Sequence, residues 1–306
     1  MIGIISDIHG NLPALQAVLA ALAALGADRL VCAGDVAGYY PFINECCQCL
    51  REAEALVVQG NHDFYLATGT PCPRSRSAND CLAYQARVIT PENRAWLGSL
   101  APAGRLEDME IVHGGWRDPL DEYLVPDAAY FRALEGRRFV SGHSHVQTLW
   151  QGEGAVWCNP GSVGQPRDGD PRAAFATFDG EAFTLHRVAY PVEQTMAAMA
   201  RIPGVLDTTR VATKSSAVIS WHDRSFSCML FACEANYWSL MSFNAIAGRL
   251  FTTEEVTQRD RVCVIGQDLA RQVFGGDQEA VGQTLTIDDN LYTVVGVLGG
   301  LRMGDR

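Results

Sequence analysis

Two side chains able to bind a metal ion stand two residues apart near the start of the chain, in the segment Ser6-Asp7-Ile8-His9-Gly10-Asn11. The apolar run before it, 2–5, predicts a short buried strand that ends as this loop begins. Side chains two apart on an extended chain point the same way, so a carboxylate and an imidazole would leave the strand together as half of a metal site. Asp-x-His pairs also occur in hydrogen-bonded turns without a metal, and other parts of the chain have to decide between the two.

Four further loops carry the same kinds of side chain, each directly after an apolar strand pattern. They are Gly34-Asp35, Gly60-Asn61-His62-Asp63, His113-Gly114 and Gly142-His143-Ser144-His145. Helical patterns follow the first two strands, at 12–25 and after Pro41, and such repeated strand, loop and helix units imply parallel pairing with right-handed crossovers. Because parallel strands end at one edge of a sheet, we expect Asp7, His9, Asp35, Asn61 and His62 to meet there. His143 and His145 repeat the spacing of Asp7 and His9.

The number of candidate ligands favours two metal ions over one. Five of the seven histidines lie in these glycine-bearing loops: His9, His62, His113, His143 and His145. With Asp7, Asp35 and Asn61 they exceed the roughly four to six positions around a single ion. The mixture of imidazole, carboxylate and amide ligands suits two divalent ions, manganese first, with iron, nickel, cobalt or zinc as alternatives.

Composition and charge exclude several classes of protein. Of 306 residues, 48% are hydrophobic and 19% are charged, as in ordinary globular proteins. No run approaches the roughly 18 apolar residues of a membrane span, and no basic signal segment precedes the first strand, which predicts a cytoplasmic protein. A net charge of −11 gives no counterion-release drive, so sequence-specific nucleic-acid binding is not expected.

Six ordered blocks within residues 1 to about 200 resemble the calcineurin-like metallophosphoesterases, and among them the small bacterial predicted phosphodiesterases. The blocks read SDIHGN, AGDVAGY, GNHD, VHGG, GHSH and NPGSVGQPRDGDPRA. The resemblance implies an α/β fold, a four-layer α-β-β-α sandwich over residues 1–203, with the metal ions at the strand ends. The irregular helical segment 64–106 is expected to be a cap or insertion.

The resemblance also implies a role for each candidate ligand. The first ion would be held by Asp7, His9 and His145, and the second by Asn61, His113 and His143. Asp35 would bridge the two ions by giving one oxygen to each. A water shared by the ions would lose a proton near neutral pH and attack the phosphorus of a small phosphodiester or phosphomonoester.

Residues around the ligands are given supporting roles by the same resemblance. His62 would protonate the leaving oxygen, with Asp63 as the carboxylate that orients its ring, and a structural role or a spare ligand is the alternative for His62. Asn11 is expected behind the ligands. Arg117 or Arg167 would contact phosphate oxygens, although a solvated surface arginine is the plain alternative for each. The substrate itself and the oligomeric state stay open.

The sequence changes character at about residue 204, and a small α+β domain is expected over 204–306. Residues 236–298 resemble part of the periplasmic core domain of macrolide-exporter-like transporter permeases, in the pieces NYWSLMSFNAIAGRLFTTEE, RVCVIGQDLARQVFGG and AVGQTLTIDDNLYTVVGVL. The pattern predicts these elements: a helix before Gly248, a strand at 262–265, a helix to Phe274, and strands at 284–287 and 292–297.

Two alternatives to an enzyme stay open. A protein of this fold that has lost activity would bind partners as a scaffold, but such a protein usually lacks a ligand or the acid, and here none is missing. The second domain could instead make the chain a soluble accessory part of a permease assembly. Permeases of that family carry membrane helices on both sides of this domain and this chain has none, so a fusion remnant is favoured over an interaction module.

Overall fold

A computed structural model describes residues 1–152, 154–202, 211–222, 224–240 and 243–299 of the chain. The chain divides into two compact units, Met1–Pro203 and Gly204–Arg306. Each unit has a hydrophobic core of its own. None of the helices within the described ranges combines the length and the apolar character that a membrane span requires.

The first unit is built on a sheet whose central strand precedes Asp7. In spatial order its strands are β10 (Phe183–Val188), β9 (Ala173–Phe178), β1 (Ile2–Ile5), β2 (Arg29–Cys32) and β3 (Leu56–Val57). β1 pairs in parallel with β2, and β2 with β3, as predicted, while β9 and β10 are antiparallel. The crossovers run through α1 (Leu12–Ala24) and α2 (Ile43–Glu52), so the loops after the three parallel strands lie at one edge.

A second sheet faces the first. In spatial order its strands are β4 (Ala103–Leu106), β5 (Met109–Val112), β6 (Arg138–Val140), β8 (Ala155–Asn159) and β7 (Thr148–Gly152). β5, β6 and β8 are parallel neighbours, so the loops after β5 and β6, which begin at His113 and Ser141, open in the same direction. Apolar side chains of both sheets, such as Ile4, Ile111 and Val140, fill the space between them.

Helices cover the outer faces of the two sheets. Beside the first sheet, together with α1 and α2, are α3 (Asn61–Thr68), α4 (Arg76–Val88) and α5 (Pro91–Ser99), and α7 (Val192–Met199) lies against α1. Leu15, Leu50 and Leu97 of these helices form one core with Phe175 of β9. The second sheet carries α6 (Ala128–Arg132) and an aromatic cluster around Phe131. The four layers confirm the predicted α/β sandwich.

The segment 64–106, expected to be a cap or insertion, contains most of α3, all of α4 and α5, and β4. Its Leu82 belongs to the same core as α1 and α2. Buried Gln85 of α4 reaches the loop after β2, where its side-chain oxygen accepts from the Gly38 amide and its nitrogen donates to the Tyr40 carbonyl. The segment is therefore part of the helical layer, and a covering role over a substrate stays a prediction.

The second unit is one sheet with short helices around it. Its strands are β11 (Val211–Trp221), β12 (Arg224–Cys233), β13 (Ala245–Gly248), β14 (Val262–Gly266), β15 (Thr284–Ile287) and β16 (Asn290–Leu298). The spatial order is β12-β11-β15-β16-β13, with β14 parallel to β16. The helices are α8 (Tyr237–Leu240), α9 (Thr253–Gln258), α10 (Gln267–Phe274) and α11 (Asp277–Ala280). A separate, sheet-rich α+β domain is thus present.

Most elements predicted for this unit are confirmed, including the strand at 262–265, the helix that ends at Phe274 and the final strand pair. Of the helix predicted before Gly248 only the short α8 (Tyr237–Leu240) is present, because the residues next to the glycine form β13, which pairs with β16. Ala247 is buried while Ile246 and Gly248 on either side are exposed. Pairing and one-sided burial override the helical pattern. The hairpin of β11 and β12 was not predicted.

Candidate metal centre

Loops from both sheets bring the predicted ligands to one place. The loops follow β1, β2, β3, β5 and β6. Every candidate side chain is buried, with at most 6% of its surface exposed: Asp7, His9, Asp35, Asn61, His62, Asp63, His113, His143 and His145. Burying this many polar groups costs free energy unless each of them finds a partner, so the cluster requires something that balances it.

Asp7, His9 and His145 form the first group. Nε2 of His9 lies 3.0 Å from Nε2 of His145, which lies 3.3 Å from Oδ1 of Asp7. The other ring nitrogen of each histidine, Nδ1, is held by a backbone carbonyl, that of Ala37 for His9 and that of Gln165 for His145. A carbonyl oxygen can only accept a hydrogen bond, so the proton of each ring is assigned to Nδ1. The two Nε2 atoms are then unprotonated, and their lone pairs face each other.

Asn61, His113 and His143 form the second group. Nε2 of His113 lies 3.0 Å from Oδ1 of Asn61 and 3.2 Å from Nδ1 of His143. Its own Nδ1 donates to the carbonyl of Ala33 at 2.8 Å. Nitrogen and oxygen atoms that can bind a cation therefore converge at this second position as well.

Asp35 lies between the two groups and faces both with the same oxygen. Its Oδ2 is 3.3 Å from Nε2 of His113 and 3.8 Å from Nε2 of His9. Its Oδ1 accepts a hydrogen bond from the backbone amide of His62 at 2.9 Å. This amide uses one lone pair of Oδ1, so Oδ2 is the oxygen that faces both groups, and the prediction that Asp35 gives one oxygen to each ion stays a prediction.

The spacing of these atoms suits metal coordination. Ligand atoms stand about 2.1 Å from an octahedral divalent ion such as Mg²⁺, so two neighbouring ligands at right angles lie about 3 Å apart. The pairs His9 with His145 and Asn61 with His113 have this separation, at 3.0 Å each. A cation between His9 and His145 would also remove the repulsion between their two Nε2 lone pairs. The donor set therefore fits an ion at each group.

The ionisation of the cluster points the same way. Burial disfavours the charged carboxylate of Asp35, but His113 and His62 hold the pKa of that carboxyl well below its usual range. Burial likewise opposes a charged His113, yet Asp35 raises the pKa of His113 to about 10. A proton on His113 thus balances Asp35 when no metal is bound. A divalent ion would displace this proton on binding.

The backbone is left-handed at five positions of candidate ligands: Asp7, His9, Asp35, His143 and His145 have φ between 54° and 65°. Such backbone is uncommon outside glycine and is concentrated at functional sites. The left-handed backbone also corrects the predicted cause of the convergence of Asp7 and His9. Asp7 and His9 converge, with Oδ1 and Nε2 3.8 Å apart, because two tight turns aim them inward and not because an extended strand alternates.

Two glycines let the loops approach the ligands closely. A Cβ on Gly60 would lie 2.1 Å from Oδ1 of Asp35, and one on Gly142 would lie 2.6 Å from Oδ2 of Asp7. Both distances are far below van der Waals contact, so only a glycine fits at either position. The glycines in these motifs therefore have a steric function beside the candidate metal ligands.

Replacing Gly60 with alanine is expected to displace Asp35, with a loss of metal binding and of about 1 to 3 kcal/mol of unfolding free energy. Gly98→Ala in α5 is the control, because a Cβ there would meet only Ala67 at 3.6 Å. Chemical denaturation and metal analysis of both variants measure the effect. Equal metal content in the two variants would contradict this account of the Asp35 loop.

Asp63 does not orient the ring of His62, contrary to the prediction. Its carboxylate accepts from the backbone amides of Asp35 and Gly60 at Oδ2 and of Ala37 at Oδ1, over 2.8 to 3.0 Å. Among the described residues, Nδ1 of His62 has no hydrogen-bond partner. Burial, reinforced by the charge of Asp35, raises the pKa of Asp63 to about 7. Asp63 therefore ties the loop after β2 to the start of α3.

Asp63→Ala is expected to lower the free energy of unfolding by about 3 kcal/mol, because three buried amides lose their acceptor. Asp63→Asn retains one acceptor oxygen and is expected to lose about half as much. Urea denaturation followed by circular dichroism measures both variants. If Asp63 acted by orienting His62, Asp63→Ala would instead leave stability unchanged and lower activity alone.

The His62 ring lies beside the first group. Its centre is 4.9 Å from that of the His9 ring and 5.1 Å from that of the Tyr39 ring. One ligand-type atom from each of His9, Asp35 and His62 lies within 4.8 Å of the others. Burial lowers the pKa of His62 and so favours the neutral ring. Both roles predicted for His62, proton donor and spare ligand, are compatible with this position.

The two candidate arginines lie in different surroundings. The guanidinium of Arg167 donates to the hydroxyl of Tyr39 at 3.3 Å and lies 5.8 Å from the centre of that ring, beside the first group. Arg117 instead stacks on Tyr130, 4.5 Å from the ring centre, at the aromatic cluster on the outer face of the second sheet. The position of Arg117 therefore does not support the predicted phosphate contact.

Asn11 is buried and caps α1. Its Oδ1 accepts from the amide of Ala14 and the hydroxyl of Thr195, and its side-chain nitrogen donates to the carbonyl of Gly164. The amide of Gly164 donates in turn to the carbonyl of Asp7. Asn11 thus supports Asp7 indirectly, through the loop after β8.

One residue beside the ligands was not predicted. Oδ1 of Asp121, in the loop after β5, lies 3.7 Å from Nε2 of His143, and its Oδ2 pairs with Arg74. The acidic residues at 118–122, soon after His113, are a weak signal in the sequence. No spacing connects Asp121 to His143, however, because the two follow different strands.

The family of the chain follows from comparison with known proteins. The calcineurin-like phosphoesterase superfamily domain matches residues 1–182, and the chain belongs to that superfamily. A MacB-like periplasmic core domain matches residues 139–306 and accounts for the C-terminal part. The two matches overlap, and the structure places the residues of β6 to β10 in the first unit. Membership in the first family implies divalent metal ions, for which the buried His and Asp groups are candidates.

Individual relatives divide in the same way. An uncharacterized protein of Methanocaldococcus jannaschii is 33% identical over an alignment that covers 63% of this chain and 89% of that protein. The crystal structure of a metallophosphoesterase from Sphaerobacter thermophilus is similar with a TM-score of 0.58 at 33% identity, over 66% of this chain and 94% of that one. The macrolide export ATP-binding/permease protein MacB of Chlorobaculum tepidum is 26% identical over 126 residues, 41% of this chain but only 19% of that protein.

Proposed function

We propose that the first unit hydrolyses phosphate esters with two divalent metal ions, manganese first among them. Membership in the phosphoesterase superfamily supports the class of reaction. One observation carries the two-ion proposal: contacts of 3.0 Å between ligand atoms, His9 with His145 and Asn61 with His113, lie on either side of a single oxygen of Asp35.

Each of the two groups of side chains would hold one ion. Asp7, His9 and His145 would hold one ion, Asn61, His113 and His143 the other, and Oδ2 of Asp35 would be shared. The ions would supply a water acidic enough to lose its proton near neutral pH, and positive charge for the phosphate oxygens. The chain itself contributes preorganisation, since left-handed turns and the amide contacts of Asp63 fix the ligands before substrate arrives.

His62 is proposed to protonate the leaving oxygen. Burial alone favours its neutral form, but a phosphate anion beside it favours the protonated form that an acid requires. Arg167, held by the Tyr39 hydroxyl next to His62, is proposed to pair with a phosphate oxygen, because a guanidinium offers several donors to such a group. Both side chains would act on the substrate directly.

The proposed substrate is a small phosphodiester or phosphomonoester. A chain with a net charge of −11 repels extended polyanions, so the attraction for phosphate would come from the ions. The test is metal analysis of protein purified without chelators, followed by assays of an aryl phosphodiester and the matching monoester in added manganese. About two ions per chain and metal-dependent release of the phenolate are expected. Less than one ion per chain without hydrolysis would overturn the proposal.

A non-catalytic binding protein of the same fold is the alternative within this unit. Such a protein would lack turnover on every ester in the assay, even with its metal content complete. The complete set of ligands and the position of His62 beside them favour the enzyme.

The MacB-like domain supports a second candidate function, an accessory role in a transporter permease assembly. Co-purification with a permease would favour this role. A chain shortened to residues 1–203 that keeps its hydrolytic rate and its solubility would mean that the second unit is not needed for the chemistry.

A further inference from the structure

Three of the four histidines proposed as ligands are anchored by the backbone, and the fourth is not. Nδ1 of His9, His113 and His145 each lies 2.7 to 2.8 Å from a carbonyl oxygen. His143 turns Nδ1 toward the centre instead, 3.2 Å from Nε2 of His113. Its Nε2 is buried, and within the described part of the chain that atom has no hydrogen-bond partner. Some other group has to orient this ring.

Asp121 stands opposite the free nitrogen of His143. Its Oδ1 lies 3.7 Å from that Nε2. This oxygen is also buried and, among the residues that the structure describes, also lacks a hydrogen-bond partner. A buried donor and a buried acceptor that stand roughly 0.7 Å beyond bonding distance need only a small side-chain movement to pair.

The neighbouring side chains hold this arrangement in place. Arg74 forms an ion pair with Oδ2 of Asp121, and the hydroxyl of Tyr65 donates to the same oxygen at 3.5 Å. The ring of Tyr123 packs against the His143 ring, with centres 4.2 Å apart. The side chains of His143 and Asp121 are 5% and 23% exposed, so water competes only weakly for a bond between them.

We propose that Asp121 is the positioning residue for His143 at the second group. The inference rests on the proposed metal centre: Asp121 would accept a hydrogen bond from Nε2–H of His143, which keeps the proton on Nε2 and leaves Nδ1 unprotonated toward the ion, a stronger ligand. A carboxylate behind a metal-binding histidine typically contributes about 10- to 100-fold in metal affinity. Asp121 would therefore set the affinity of the second ion without touching the ion or the substrate.

Asp121→Ala is expected to weaken the second ion by about 10- to 100-fold and to leave the first within about twofold. Calorimetric titration of the metal-free protein with Mn²⁺ measures both sites. Asp121→Asn retains an acceptor oxygen without its charge and is expected to lose about three- to tenfold. Asp108→Ala is the matched control, because it removes the same charge from an ion pair with Arg138 at the surface, and both affinities are expected to be unchanged.

A spectroscopic readout separates positioning from a general effect on the fold. In the Zn²⁺-loaded protein, nitrogen-15 NMR of the imidazoles is expected to show that the ring proton of His143 is on Nε2. The resonance of this proton is expected to shift upfield in Asp121→Ala. Wild-type affinities in the Asp121 variants, or equal losses at both sites, would overturn the assignment of Asp121 and leave the metal centre standing. Should Asp121→Ala fail to fold, Asp121→Asn provides the test by itself: loss of affinity for the second ion supports the assignment, and unchanged affinity overturns it. An unaltered chain that binds no pair of ions would overturn the centre and Asp121 together.

Discussion

Asp35→Asn is expected to lower hydrolysis of an aryl phosphodiester by about 1000-fold or more. Loss of the carboxylate charge removes several kcal/mol of transition-state stabilisation, and about 1.4 kcal/mol corresponds to a tenfold change in rate. In the structure Oδ2 faces His113 at 3.3 Å and His9 at 3.8 Å, while Oδ1 accepts from the His62 amide. Asparagine has nearly the same shape but one oxygen and no charge. It can serve the ions or the amide of His62, but not both.

The experiment compares metal content and kcat/KM side by side. Asp28→Asn is the control, because the same chemical change removes only an exposed ion pair with the N-terminal amine. We expect the control to keep both ions and its rate. An Asp35→Asn protein with both ions bound and more than about a tenth of the rate would contradict the shared oxygen.

His62→Ala is expected to retain both ions and to lower turnover by about 10²- to 10⁴-fold, the range for loss of a general acid. The ring lies beside the first group, 4.9 Å from His9 between ring centres, and Asp35 contacts its backbone amide rather than its ring. Removing the ring should therefore leave the shared carboxylate in place. Metal analysis and single-turnover kinetics measure the two effects separately.

The leaving group distinguishes an acid from a ligand. An ester with a good leaving group, such as nitrophenolate, needs little protonation, so His62→Ala should slow it less than an alkyl ester. His222→Ala, at an exposed position in the second unit, is the matched control. Loss of an ion from His62→Ala, with equal slowing of both esters, would assign His62 as a ligand instead.

Much of this site was available from local patterns. The apolar run before Asp7 and the helical spacing after it predict parallel strands, and parallel strands end at a common edge. The glycine-bearing loops then predict which of the side chains meet. In the structure Asp7, His9, Asp35, Asn61 and His62 meet in this way at the edge of the first sheet, whereas His113, His143 and His145 reach them on loops of the second sheet.

The roles of individual atoms could not be predicted from local sequence patterns. Asp63 and His62 are neighbours in sequence, yet the Asp63 carboxylate is used by amides of Asp35 and Ala37 on another loop. Arg117, close to His113 in sequence, turns outward to Tyr130. Local spacing predicts where a loop begins, but which oxygen faces which amide depends on how separate loops pack.

By itself the sequence determined the α/β class and the side chains that gather at the edge of the first sheet, because periodicity acts over a few residues, while the four layers followed from the resemblance of its motifs to a known family. Only the tertiary structure decided that Asp35 faces both groups with one oxygen, that left-handed turns aim Asp7 and His9, and that Asp121 lies opposite His143. The physical reason is distance along the chain. Hydrogen bonds and steric contacts join residues that no local pattern relates, and they form only when the two sheets close on each other.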